Sequence, residues 1–80
     1  MLYFSMEGGH MHFSEIIKHI RQELKITQEE LARELNVSFS TVNRWENGHR
    51  VPAKLTIRCI IDFCRNNSVD KDVISALEKL

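Results

Sequence analysis

Residues 27–52 predict two short helices joined by a tight turn, and this stretch constrains the fold more than any other part of the chain. Thr27 can cap the first helix, because its side-chain oxygen can accept from the amide of Glu30 while the Glu30 carboxylate reaches back to the Thr27 amide. That helix is predicted to end near Leu35. Ser38 can cap a second helix only three residues later. Two short helices in this arrangement leave one of them free to enter a groove.

The second helix is predicted to end in a left-handed turn at Gly48, directly after Asn47. A helical wheel at about 100° per residue divides it into two sides. One side holds apolar residues with a carboxylate beside them: Val42, Trp45 and Glu46. The other side holds hydrogen-bonding side chains with no obvious partner in the protein: Ser40, Asn43, Arg44 and Asn47. Such a face is typical of a helix that reads base edges in the major groove, and equally of any solvated amphipathic helix.

In combination, these residues resemble the phage-repressor-like helix-turn-helix family, the Cro/C1 or XRE type. The resemblance covers roughly residues 14 to 66. It rests on three motifs in register: Thr27-Gln28-Glu29-Glu30-Leu31-Ala32, Val37-Ser38 and Arg44-Trp45-Glu46-Asn47-Gly48. The resemblance implies an all-α fold, a five-helix lambda-repressor-like DNA-binding domain. In that family the third helix, here residues 38–47, is the recognition helix.

The resemblance also implies roles for individual side chains. Contacts with bases are implied for the early residues of the third helix and one a turn later, with Asn43 close by: Ser38, Phe39, Ser40 and Arg44. Contacts with phosphates are implied for Gln28, the first residue of the second helix, and for Asn47, with Thr27 assigned to the same set.

Two positions depart from the family pattern. Lys25 occupies a loop position where the family usually has Gly, and a left-handed backbone is mildly unfavourable for a residue with a Cβ, so a reshaped loop is an alternative. Phe39 stands where the family more often has a polar residue. Two roles stay open for it: contact with a thymine methyl group on DNA, or shielding of the neighbourhood of Trp45.

Positive charge is concentrated in and just after the proposed recognition helix, although the whole chain has a formal net charge of zero at pH 7. Residues 39–58 carry four cations against Glu46 alone, a net charge of +3: Arg44, Arg50, Lys54 and Arg58. His49 and Arg50 form a basic loop ahead of Pro52, which stands at or before the start of the fourth helix. His49, Arg50, Lys54 and Arg58 are therefore predicted to neutralise phosphates beside the groove, and a chance cluster of charges is the alternative.

Glu46 lies on the core side of the third helix and needs a partner, since an unpaired buried carboxylate is costly. Arg21, one residue past the apolar stripe of the first helix, is the candidate. The resemblance supports the pair, because Arg and Glu at these positions commonly join the first and third helices of the family. The alternative is two exposed charges at opposite edges. The first helix is predicted to start at Ser14, as its cap, or just before it, and to run to about Leu24.

The rest of the chain divides into a leader and a last helix around this domain. Residues 1–12 have no sustained period and are predicted to be a mobile leader, in part vector-derived because residues 2–6 resemble a protease-tag linker. Residues 13–66 are predicted to form the DNA-binding domain. Residues 67–80 are predicted to form a C-terminal helix, capped by Asp70, that contacts the core or a second copy of the chain.

The sequence disfavours several function classes. The four histidines lie in the leader, a helix and a loop without the spacing of a nucleophile and base, and a Gly-rich phosphate loop is absent, so neither catalysis nor a cofactor is predicted. A metal at His10 and His12 is disfavoured as well. No segment is long and apolar enough to cross a membrane or direct secretion, which predicts a cytoplasmic protein. Cys59 and Cys64 are predicted to be buried small hydrophobes.

Two binding functions stay open. The favoured one is a sequence-specific double-stranded DNA-binding transcriptional regulator, a repressor, acting as a homodimer. The resemblance implies docking on half-sites roughly 34 Å apart, and a small core gains stability from pairing. The alternative is a protein-binding adaptor or antitoxin component that presents Phe39 and the last helix to a partner. A steep salt dependence of binding would distinguish DNA from such a partner.

Overall fold

The computed structural model describes residues 11–48 and 50–80, which form five α-helices and no strand. The helices are α1 (Phe13–Leu24), α2 (Gln28–Leu35), α3 (Phe39–Asn47), α4 (Lys54–Asn66) and α5 (Lys71–Glu78). The predicted all-α, five-helix fold is thus confirmed. Most of the predicted leader, with its candidate metal ligand His10, lies outside the described residues, and so does His49. None of the described helices is long and apolar enough to cross a membrane.

Helix α1 begins at Phe13, just before Ser14 as the sequence predicts, but Ser14 is not its cap. His12 is the N-cap residue, and its backbone N–H donates to the Glu15 carboxylate at 3.1 Å. This start is favoured because it places Glu15 at the third helical position, from which a carboxylate can reach back to the cap. It also brings Phe13 into the helix, where its side chain is buried. Ser14 therefore lies in the first turn.

The cap predicted for α2 is present. The Glu30 backbone N–H donates to Thr27 Oγ1 at 3.0 Å, and the Thr27 backbone N–H donates to Glu30 Oε1 at 2.8 Å. After Leu35 the helix ends at Asn36, whose φ of 59° is left-handed. Only three residues later α3 begins, with Ser38 accepting from the Thr41 backbone N–H at 3.1 Å. The two helices predicted from residues 27–52 thus form with their predicted caps.

The loop after α1 keeps a left-handed residue despite the side chain at Lys25. Lys25 has φ 58° and ψ 45°, so the alternative of a reshaped loop is wrong. Its N–H donates to Gln22 O at 3.3 Å, and the Ile26 N–H donates to Arg21 O at 3.1 Å. These two bonds satisfy carbonyls that the end of a helix leaves unpaired, which offsets the steric cost of the left-handed backbone.

The left-handed stop predicted at Gly48 is wrong. Gly48 has φ −108° and ψ −180°, an extended backbone that any residue adopts. Glycine is required there for a different reason: a Cβ would lie 2.9 Å from the backbone oxygen of Arg44. The chain leaves α3 so close to the last turn of the helix that a side chain would collide with it.

The core is a single apolar cluster to which all five helices contribute. Helix α1 packs against α3 and α5, α2 packs against α3 and α4, and α4 packs against α5. The largest side chains that are fully buried come from every helix: Ile16, Ile17, Ile20, Leu31, Val42, Ile60, Val73 and Leu77. Asp70 caps α5, as predicted, by accepting from the Asp72 backbone N–H at 2.8 Å. Helix α5 covers the same core as the other four, whereas Leu80 is exposed.

The two cysteines have different environments. Cys64 is fully buried, and burial, followed by the nearby charge of Glu23, raises the pKa of its thiol to about 12. Its thiol is therefore protonated at neutral pH and chemically inert. Cys59 is exposed on α4, so the prediction that both cysteines are buried is wrong for Cys59.

Candidate nucleic-acid interface

The face of α3 that points away from the core is polar. Ser40, Asn43 and Arg44 are exposed, and Phe39 is 50% exposed beside them. The helix turns these side chains outward because α1 and α2 pack on its other side, where Val42 is fully buried. A polar helix face held outward by two packed helices can enter a groove as wide as the major groove of DNA.

Trp45 fixes the inner side of α3 against α1. Its ring lies edge-on to the ring of Phe13, with the centroids 5.6 Å apart and an interplanar angle of 79°. Edge-to-face pairs of this kind are favourable because the positive ring edge meets the negative ring face. The contact joins the second turn of α3 to the first residue of α1 and limits rotation of α3 about its own axis.

Glu46, at 4% exposure, is the only buried charged residue in the described part of the chain. Arg21 binds the Glu46 carboxylate through two N–H groups: Nε donates to Oε2, and Nη2 donates to Oε1 at 2.9 Å. Gln28 Nε2 donates to the same Oε1, also at 2.9 Å. Helices α1, α2 and α3 are therefore joined by one carboxylate on the side of α3 opposite its exposed face.

The ionisation of Glu46 follows from these contacts. Burial disfavours the charged carboxylate, but the hydrogen bonds from Arg21 and Gln28 outweigh it, and the pKa of Glu46 lies below its ordinary value. Arg21 is itself anchored, because its Nη1 also donates to the Ile26 carbonyl at 3.2 Å. The one acid among residues 39–58 is thus charged, paired and withdrawn from the surface.

Gln28 is the first residue of α2, as predicted, and its side chain also has a partner within the protein. One N–H of its side-chain amide is directed inward to Glu46, which leaves the second N–H for an outside acceptor. Thr27, assigned to the same role, is exposed, and its Oγ1 accepts from Glu30. Both side chains therefore have structural partners within the described residues.

Each end of α3 has a pair of polar side chains that hydrogen-bond to each other. The Ser38 and Thr41 hydroxyl oxygens lie 2.8 Å apart, so the capping hydroxyl of Ser38 already has two partners. The side-chain Nδ2 of Asn47 donates to the backbone oxygen of Asn43 at 2.9 Å and to its Oδ1 at 3.1 Å. The Asn43 amide oxygen is thereby occupied, and its NH2 group is the part that the helix presents.

The four cations of residues 39–58 are exposed, and none of them forms an ion pair within residues 11–48 and 50–80: Arg44, Arg50, Lys54 and Arg58. Arg44 and Arg50 line one groove, whereas Lys54 and Arg58 line a second groove between α4 and α5. The two grooves share Val51 and Pro52. The cations therefore form a basic strip, defined by these four residues, that runs from α3 to the start of α4.

Sequence reasoning missed the hydrogen bond of Gln28 to Glu46 and the pairing of Asn47 with Asn43. The pairing of Asn47 with Asn43 could have been predicted, because residues four apart on a helix are neighbours. The hydrogen bond of Gln28 to Glu46 could not, because it depends on how closely α2 packs against the end of α3. His49, the remaining predicted phosphate contact, lies outside the described residues.

Comparison with known proteins adds a family match. The model of the family described as Helix-turn-helix matches residues 17–65, more than half of the chain. The chain is 36% identical over 53 residues to the HTH-type transcriptional activator BcrR of Enterococcus faecalis. It is 42% identical over 53 residues to the Type II methyltransferase M1.ScrFI of Lactococcus lactis subsp. cremoris.

These similarities are confined to part of each relative. They cover 66% and 62% of this chain, but the chain spans only 26% of the activator and 14% of the methyltransferase. No solved structure gives a significant match. What is shared is a segment of about the size of the domain formed by α1 to α4.

Proposed function

The chain belongs to the Cro/C1-type helix-turn-helix family of DNA-binding regulators, and from this we propose that it binds specific sites in double-stranded DNA by laying α3 in the major groove. The observation that carries the proposal is the two-sidedness of α3. Glu46 and Trp45 hold one side against α1 and α2, while Arg44 projects from the other without an ion-pair partner among the described residues. A helix held in this way offers its outer side chains to base edges in a fixed orientation.

The exposed side chains of α3 are proposed to contact bases in different ways. Arg44 can donate two parallel hydrogen bonds to guanine O6 and N7, and Asn43 can donate from its exposed NH2 group. Ser40 adds a short hydroxyl that can donate or accept. Ser38 is engaged in capping, so its contribution is proposed to be positional, through the start of the helix.

The three cations of the basic strip that follow α3 supply affinity without sequence choice. Arg50, Lys54 and Arg58 are exposed on the loop and helix that follow α3, so they can reach phosphates on the rim of the groove that α3 enters. Each phosphate neutralised releases condensed counterions, which makes such binding weaken steeply with salt. Gln28 and Thr27 are proposed to add contacts from the start of α2, Gln28 through its second N–H.

We also propose that two copies bind together. The groove between α4 and α5 is apolar at its base, formed by Ile57, Ile61 and Leu77, and its rim includes Val51 and Leu80. Contact of Val51 and Leu80, which are 49% and 42% exposed, with a second copy would remove apolar surface from water. The molecule measures 31 × 25 × 21 Å, so two copies side by side can place their α3 helices about one DNA turn apart, roughly 34 Å.

Repression is the regulatory outcome that we propose, because occupation of a promoter by a small DNA-binding domain is enough to exclude competing proteins. The relative from Enterococcus faecalis is named an activator. Repression and activation can be told apart by transcription in vitro from a promoter that carries the bound site. A repressor lowers transcript yield as its concentration rises, and an activator increases it. A cytoplasmic location stays a prediction.

A protein partner is the second candidate, favoured by one observation. Leu55 is 74% exposed on α4, close in sequence to the exposed Val51, and exposed apolar side chains are typical of interaction surfaces when they cluster. An adaptor or antitoxin component would bury Leu55 against its partner. Such a partner could also coexist with DNA binding, since Leu55 is not part of the exposed face of α3.

Selection from random double-stranded DNA tests the proposal most broadly. Repeated binding and amplification should yield one motif, and two inverted copies of that motif would identify a dimer. Affinity for the selected site should fall steeply with salt, whereas affinity led by apolar burial of a protein partner should change little. A pool that remains random, with no salt-dependent binding, would contradict the proposal.

A further inference from the structure

Phe39 is an exposed aromatic residue on a polar helix face. It is the first residue of α3, and half of its surface is open to solvent, whereas Phe13 is buried in the core. Phe39 is not among the partly buried hydrophobic residues that pack against the core. The alternative that it shields the neighbourhood of Trp45 is therefore disfavoured, because Trp45 is covered by the edge-on ring of Phe13.

The position of Phe39 on α3 places it with the proposed base-reading residues. At about 100° per residue, an arc of about 140° contains the side chains of the exposed face: Phe39, Asn43, Asn47, Ser40 and Arg44. Phe39 stands at one end of this arc and Arg44 at the other. The N-terminal turn of a recognition helix is the part that contacts base edges in helix-turn-helix proteins.

Two polar side chains near this turn already have hydrogen-bond partners within the protein. Ser38 caps the helix and pairs with the Thr41 hydroxyl, and the Asn43 amide oxygen accepts from Asn47. At its outer edge the first turn consequently presents the Ser40 hydroxyl and, at the end of the arc, the ring of Phe39, which can neither donate nor accept a conventional hydrogen bond. The only apolar group that the major-groove edge of an unmodified base pair displays is the C5 methyl group of thymine.

We propose that Phe39 makes DNA binding sensitive to the C5 methyl group of one pyrimidine in each half-site, so that thymine and 5-methylcytosine are both preferred over their unmethylated counterparts. This inference rests on the proposed placement of α3 in the major groove. 5-Methylcytosine carries its methyl group at the same ring position as thymine, so the same ring of Phe39 contacts it. Methylation of cytosine at this position therefore strengthens binding.

The test uses the full chain and the site obtained from the random pool. Each thymine in turn is replaced by uracil, and each pyrimidine position is also prepared with cytosine and with 5-methylcytosine opposite guanine. Dissociation constants are measured for the wild-type protein, Phe39→Ala, Phe39→Leu and Lys54→Ala. We expect one position per half-site at which the methyl group strengthens wild-type binding about fourfold, the effect of burying about one methyl group.

The variants separate this contact from general DNA binding. Phe39→Ala should bind methylated and unmethylated bases at that position equally, and Phe39→Leu should keep part of the preference because it retains an apolar side chain. Lys54→Ala should bind all these sites more weakly but keep the wild-type ratio. The inference is overturned if no position responds to the methyl group, or if Phe39→Ala keeps the full preference. Either result leaves the selected motif, and with it the proposed function, intact.

Discussion

Arg21 and Glu46 form a two-point ion pair that joins α1 to α3, with Arg21 Nη2 donating to Glu46 Oε1 at 2.9 Å and Nε donating to Oε2. The carboxylate is almost wholly buried, while about a quarter of the Arg21 side chain remains exposed. The pair sets the orientation of α3 from behind, because Gln28 of α2 donates to the same carboxylate. The orientation of the exposed face of α3 thus depends on an ion pair on the opposite side of the helix.

Replacement of Arg21 by Ala should destabilise the fold strongly. The substitution leaves the Glu46 carboxylate buried without its cation, and breaking a buried pair in this way costs about 3–5 kcal/mol, so we expect about 3 kcal/mol here because Arg21 is partly solvated. Urea denaturation measures the loss. The matched control is Arg65→Ala, which removes the exposed ion pair with Glu78 at 2.8 Å and should change the free energy of unfolding by only about 0.5 kcal/mol. Equal effects of the two substitutions would contradict the role assigned to Arg21.

The lowered pKa of Glu46 predicts a dependence of stability on pH. A carboxylate whose folded-state pKa lies below its unfolded value contributes its full stability above the unfolded pKa, here near the ordinary 4.5, and loses it as pH falls through the folded-state pKa. Arg21, whose pKa is raised above an already high value, adds nothing in this range. The difference in unfolding free energy between wild type and Glu46→Gln should therefore shrink as pH falls from 6 through about 4. A constant difference over that range would show that the Glu46 charge is not linked to folding.

Gly48→Ala should destabilise the end of α3 through a steric contact. The added Cβ would lie 2.9 Å from the Arg44 backbone oxygen, a separation that requires the backbone to move. Forced shifts of this kind cost roughly 1–3 kcal/mol. Thermal denaturation should show the loss, and Asn47→Ala, which adds no atom near that oxygen, should show a smaller one. Because the φ of Gly48 is extended, a stabilised Gly48→Ala protein would mean that the close approach is absent.

Lys25→Gly should stabilise the protein. A left-handed backbone costs a residue with a Cβ roughly 1–2 kcal/mol, and about half of this is offset by the larger conformational freedom that glycine brings to the unfolded chain, so a net gain of about 0.5–1 kcal/mol is expected. Asn36→Gly, at a similar φ of 59°, should gain less because Asn tolerates this conformation. Denaturant midpoints of the two variants provide the comparison. A loss of stability in Lys25→Gly would indicate that the lysine side chain makes a stabilising contact.

Local signals in the sequence were sufficient to predict the helices and to predict which sides of α3 face the core and the solvent. The Thr27 and Glu30 cap, the apolar spacing in α1 and the wheel of α3 depend on residues three or four apart, which a sequence displays directly. The cap of α1 and the backbone of Gly48 were predicted wrongly, because Glu15 completes a cap at His12 instead of Ser14 and because glycine serves close approach as well as left-handed turns. The contact of Gln28 with Glu46 spans 18 positions and two helices, and no periodicity encodes it.

The separate roles proposed for Arg44, which reads a base, and Lys54, which contacts a phosphate, are the central claim. They are tested most directly by measuring the binding of Arg44→Ala and Lys54→Ala to the selected site and to every single base-pair variant of it, over a range of salt concentrations. Arg44→Ala should cost about 1–3 kcal/mol on the selected site and lose preference at one base pair. Lys54→Ala should weaken all sites alike and lower the slope of log affinity against log salt by about one. If both substitutions weaken every sequence equally, α3 does not read bases through Arg44 and the central claim fails.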